Sequence, residues 1–149
     1  RFVDLLKEVS ESLAKEIARD GEGATKLVEV IVSGAETDQE AQVLAKTVIG
    51  SNLVKTAVYG ADANWGRIVG AMGRSNIPFN KDRVSIFFGP VEVLHFGAPI
   101  LFDERKAREY LLSDEVQIRI QLTDGLGTGV AWGCDLTYDY VKINASYRT

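Results

Sequence analysis

The sequence predicts an α+β domain in which a mixed, partly antiparallel sheet packs with helices. Three observations carry that expectation. Residues 116–123 alternate, with Val116, Ile118, Ile120 and Leu122 on one face, as in a half-buried strand. Residues 84–88 and 91–96 are short apolar runs joined by Gly89-Pro90, a turn spelling. Between such runs lie segments with helical period and capping residues, so that strands and helices mix along the chain.

Taken in order, Phe2, Leu5, Leu6, Val9, Leu13, Ile17 and Ala18 recur at three- and four-residue steps, the period of one helical face. The chain opens at Arg1 inside this pattern, with no N-cap before it, which suggests a fragment or a processed chain. The apolar face finds no partner in the next few residues. Residues 1–25 are therefore expected to pack on something outside this chain, and residues 26–149 to form the α+β domain. Gly21 and Gly23 stop the helix, because glycine accepts left-handed backbone without penalty. Glu22 between them is either one solvated acid at a helix stop or a carboxylate that the backbone brings close to a ligand. A strand follows over residues 26–33, β-branched and largely buried.

Thr37 with Glu40 three residues on spells a capping box, opening a helix that stops near Gly50-Ser51. LVKTAVY, residues 53–59, reads as a second strand. Asp62 or Asn64 then caps a helix over residues 65–73, with Ile68, Val69 and Met72 inward. Gly66, Gly70 and Gly73 are costly inside that helix, about 1 kcal/mol each against alanine. They suggest tight packing, or close approach of a neighbouring backbone or ligand. Trp65 reads as a core or interface anchor. Asp103 caps a short amphipathic helix ending at Leu112. After residues 116–123, DGLGTG reads as a loose turn before a last strand pair.

Composition excludes several classes. Hydrophobic content of 46% and charged content of 26% are those of a globular protein. A net charge of −4 with no Lys/Arg cluster argues against nucleic acid. No apolar run reaches the roughly 20 residues of a membrane span, and no signal peptide is seen. The single cysteine, Cys134, suits a reducing compartment, so a cytoplasmic location is expected. One histidine, His95, and one cysteine make neither a metal site nor a Cys/His or Ser/His/Asp set. Both glycine-rich stretches fail as phosphate loops: DGEGATK runs from helix to strand, and DGLGTG lies between strands. What remains is a set of polar residues, Glu22, Asp62, Asn64 and residues 144–149, suited to a small cationic or zwitterionic ligand.

Three strings are more specific. RDGEGATKLVEVIVSGA, YGADANWGRIVGAMGRS and YVKINASYRT, in this order, resemble the bifunctional ornithine acetyltransferase / N-acetylglutamate synthase family of arginine biosynthesis. The resemblance runs through all 149 residues and is closest to the C-terminal part of that family's β subunit. Ala63 departs from the family spelling ADPNWGR, which alters local stiffness and leaves the reaction class untouched. The resemblance implies a precursor that cuts itself before a threonine, whose hydroxyl then carries the acyl group. That threonine is expected upstream of Arg1 and the oxyanion-hole residues on the α chain, so this chain alone is expected to be inactive. Substrate contacts carried over from the family fall on Glu22, Asn144 and Thr149. Glu22 and the terminal carboxylate of Thr149 suit the ammonium of N-acetylornithine, and Asn144 can donate and accept.

The resemblance further implies ping-pong acetyl transfer from N-acetylornithine to glutamate, within a larger α/β-chain sandwich that assembles into a higher oligomer. No metal or cofactor is implied; acetyl-CoA stays open as an acetyl donor. Two other classes stay open beside it. One is a related N-terminal-nucleophile aminopeptidase or secondary-metabolite acetyltransferase. The other is a non-catalytic amino-acid-binding or subunit-interaction domain.

Overall fold

Strand β1 (Leu27–Ala35) lies between two partners of opposite direction. It runs parallel to β5 (Glu115–Gln121) and antiparallel to β6 (Gly127–Cys134). In this computed structural model, which describes residues 1–21, 23–138 and 142, six strands form one sheet in the order β4-β3-β2-β5-β1-β6. Strands β2 (Ser85–Phe88), β3 (Val91–His95) and β4 (Ala98–Pro99) extend it antiparallel beyond β5. The mixed, partly antiparallel sheet expected from the sequence is what forms.

Five helices accompany it among the described residues: α1 (Phe2–Arg19), α2 (Asp38–Ile49), α3 (Asn52–Tyr59), α4 (Trp65–Gly73) and α5 (Glu104–Leu111). Three of their starts follow caps read from the sequence. Thr37 accepts from the amide of Glu40, Asn64 from Arg67, and Asp103 from Arg105 and Lys106. Helix α2 lies on the sheet face made by Val28, Val30 and Val32 with Ile118 and Ile120, all fully buried. Trp65 packs half-buried against the same core.

Three expectations need correction. Residues 53–59 form no strand; they are helix α3. Ser51 accepts from the amide of Val54, and Val54, Ala57 and Val58 bury one helical face. The run is too short for alternation and helical period to be told apart. DGLGTG is not all turn, for Gly127, Thr128 and Gly129 already belong to β6. A β-carbon on Gly127 would meet Thr37 O at 2.2 Å, and one on Gly129 would meet Gln42 N at 2.5 Å. Glycine is there because the backbone of α2 occupies that space. Conversely, Gly66, Gly70 and Gly73 are exposed on the outer side of α4, opposite Ile68, Ala71 and Met72. Nothing among the described residues lies within 4 Å of where a β-carbon would stand on Gly70 or Gly73.

Candidate functional site

Glu22, Asn144 and Thr149 lie outside the described residues. What the structure places is the chain on either side of Glu22 and the chain that leads towards Asn144. Both run through one corner of the molecule, at the start of β1 and the end of β6.

Helix α1 ends as expected, with Asp20 N donating to Glu16 O at 2.9 Å and Gly23 taking a φ of 71°. The loop that follows is held by residues just past β6. Asp135, buried, accepts from Thr25 N and Lys26 N at 2.9 Å each through Oδ1, and from Thr25 Oγ1 at 2.5 Å through Oδ2. Thr137, also buried, donates its hydroxyl to Gly23 O at 2.6 Å. Gly21 packs on Cys134, so close that a β-carbon there would stand 2.6 Å from Sγ.

A third segment joins this corner. Lys26 continues the inward alternation of Val28, Val30 and Val32, and its ammonium reaches the end of α3, donating to Val58 O at 2.9 Å. Burial lowers its pKa, the Asp135 carboxylate opposes that shift, and the Arg108 guanidinium adds to it. Val58 O also accepts from Ala61 N, while Asp62 N bonds Ala57 O, the two bonds of a Schellman ending. Its left-handed position is Ala61, with a φ of 53°. Leu136 N donates to Lys55 O at 3.3 Å, and Tyr138 sets its ring edge-on to Tyr59 at 6.1 Å. A cavity of about 420 Å³ opens beside Lys26, between Arg19, Asp114 and Glu115.

The loop of RDGEGATK, the α3 end that begins YGADANWGR, and the segment leading into YVKINASYRT therefore meet within direct hydrogen-bonding and ring-contact distance. The remaining candidates have structural work. Asn64 caps α4 and donates to Asp62 Oδ2 at 3.2 Å. His95 is half-exposed and pairs with Glu92 at 2.5 Å. Among the described residues no group of His, Cys, Asp and Glu is arranged to hold a metal, and no helix is long and apolar enough to cross a membrane. Lys26, Asp135 and Thr137 escaped the sequence reading. For Lys26 the signal was present: a lysine at the first inward position of a buried strand implies a partnered ammonium.

The sequence pattern of the ArgJ family matches residues 1–149. The chain is 60% identical over 148 residues to the arginine biosynthesis bifunctional protein ArgJ of Geobacillus kaustophilus, covering 99% of this chain and 36% of that protein. To the protein of the same name from Bacillus subtilis it is 58% identical over 148 residues, with the same coverage. It thus spans little more than a third of the length of these curated relatives. The crystal structure of the arginine biosynthesis bifunctional protein argJ from Bacillus halodurans superposes with a TM-score of 0.95 at 56% identity, covering 98% of this chain and 69% of that one.

Proposed function

This chain belongs to the ArgJ family, and on that premise we propose that it is one segment of an acetyltransferase of arginine biosynthesis. The full-length enzyme moves acetyl from N-acetylornithine to glutamate. The observation that carries this reading is the family match over the whole chain. The bonds of Thr25 and Gly23 to Asp135 and Thr137, just past β6, support it. Glu22 and Thr149 would face the substrate ammonium, and Asn144 its carboxylate or amide.

The reaction proceeds in two halves. A threonine hydroxyl from the part of the enzyme before Arg1 attacks the acetyl carbonyl of N-acetylornithine. Its proton passes to the departing ornithine amine, and the oxyanion collapses to an acetyl ester. The amine of glutamate then attacks that ester, releasing N-acetylglutamate and restoring the hydroxyl. One pocket serves two similar amino acids in turn. The relatives' names read bifunctional, and acetyl-CoA is the second donor this reading allows.

The α chain of the same precursor is the proposed partner, within a higher oligomer of α/β units and a larger sandwich. Helix α1 supplies a surface for it. Leu6, Val9, Leu13 and Ile17 are 50%, 52%, 53% and 75% exposed, and no residue of the helix is buried. The test is mass spectrometry of the full-length enzyme mixed with N-acetylornithine. A gain of about 42 Da on a single threonine is expected for the acetyl ester, and its absence rejects the covalent route.

A further inference from the structure

We propose that Asp38 and Gln42 stand in for a further strand: their side chains close the outer edge of β6, which would otherwise pair with the same edge of a second copy of this chain. Among the described residues, β6 ends the sheet on one side and β4 on the other. The β4 end is stopped in an ordinary way. That strand has two residues, and one is Pro99, which lacks an N–H to offer. Strand β6 has no such stop. It is eight residues long, GTGVAWGC, without a charge or a proline. An edge of that length and character is a ready template for another chain.

Helix α2 supplies what the strand lacks. Gly127 and Gly129 let the helix backbone come down beside β6. Asp38 and Gln42, one turn apart on one helical face, then reach the outer hydrogen-bonding groups of the strand. Gln42 donates through Nε2 to Val130 O at 2.8 Å and accepts through Oε1 from Val130 N at 3.1 Å. A side-chain amide carries the same donor and acceptor as a peptide, so these are the two bonds an opposing residue makes in an antiparallel ladder. Asp38 Oδ1 accepts from Thr128 N at 2.9 Å, the next outward amide along the strand. Without these side chains, Val130 presents its N–H and C=O to the outside. A two-fold axis at that point lets Val130 exchange both bonds with Val130 of a second copy. The edge is complementary to itself, which is why a second copy is the partner it fits.

The experiment uses the full-length enzyme. Parent, Gln42→Ala and Asp38→Ala/Gln42→Ala are compared by sedimentation velocity over a range of concentrations, with hydrogen exchange across β6 and thermal melts in parallel. The parent is expected to hold its mass and to protect the amides of Thr128 and Val130. In dilute Gln42→Ala the Val130 amide is expected to exchange up to about tenfold faster, the loss of one hydrogen bond. As concentration rises, both variants are expected to at least double in mass below their melting temperatures and to regain protection at Val130. The double variant should do so at the lower concentration. Adding Thr128→Lys puts a charge on the opened edge and should return the mass to the parental value. Variants that keep the parental mass overturn the proposal, as does association that Thr128→Lys leaves unchanged. A Val130 amide still protected in dilute Gln42→Ala also overturns it, since another part of the enzyme then lies on the edge. Should the double variant not fold, Gln42→Ala alone decides among these outcomes.

Discussion

The two faces of the central sheet are made from alternate residues of the same strands and yet are different materials. On the face under α2, Val28, Val30, Val32, Ile118 and Ile120 are wholly buried, and β6 contributes Gly129 and Ala131 so that the helix backbone can approach. On the opposite face, Glu29, Ile31, Gln117, Arg119 and Trp132 are half-buried. Its polar groups pair with one another. Glu29 accepts from Gln117 at 2.9 Å and from Trp132 at 2.6 Å, and the Arg119 guanidinium lies 4.5 Å from the ring centre of Phe87. Helix α1 crosses this face through polar groups, Lys15 near Glu29 and Arg19 paired with Glu115, while its apolar side stays outward. One face is finished by close packing within the chain. The other is a polar surface whose groups are paired, under a helix whose apolar side is exposed among the described residues.

Neighbouring isoleucines on the two faces should separate them most sharply. Ile118→Ala opens a cavity in the covered face and is expected to cost about 3 kcal/mol in urea unfolding. Ile31→Ala, half-buried on the other face, should cost about 1 kcal/mol. Equal losses would erase the distinction. Gly129→Ala pushes a methyl into the backbone of α2 and should cost about 2 kcal/mol by overpacking; a neutral result would mean that α2 is not seated as described. Ala61→Gly relieves the left-handed turn that ends α3 and should raise stability by at most about 1 kcal/mol. A lower melting temperature for Ala61→Gly would place the strain elsewhere.

The smallest effect is a slope with pH. Burial holds the folded pKa of Lys26 below its ordinary value of 10.5. Between the folded pKa and 10.5 the unfolded chain therefore keeps a proton that the folded chain has released, so stability rises with pH in that window. Below the folded pKa the burial penalty is present in full. The unfolding free energy of the parent relative to Lys26→Met should accordingly climb as pH is raised from neutrality towards 10.5. A difference that stays flat or falls would show that the ammonium is as well solvated folded as unfolded.

Much of the fold was legible. The caps at Thr37, Asn64 and Asp103 act through amides two or three residues away, so a short window of sequence contains both partners. Alternation in β5 reports burial in the same local way. Residues 53–59 were misread because seven residues satisfy both periods and the deciding contacts lie elsewhere in the chain. DGLGTG was misread because glycine spells a turn equally well when its real cause is a helix packed on top of it. For the site, the family strings pointed to Glu22, Asn144 and Thr149, which lie outside the described residues. The groups that organise the corner, Asp135 and Lys26, carried no motif.

By itself, then, the sequence determined the caps of three helices, the alternating face of β5, and the family. The tertiary structure alone decided which face of the sheet is covered, why β6 carries glycines under α2, and that Gly23, Thr25 and Lys26 are held by residues just past β6. The reason is distance along the chain. A cap or an alternation is an interaction among near neighbours, whereas Thr25 and Asp135 stand 110 residues apart and meet only once β1 and β6 have paired.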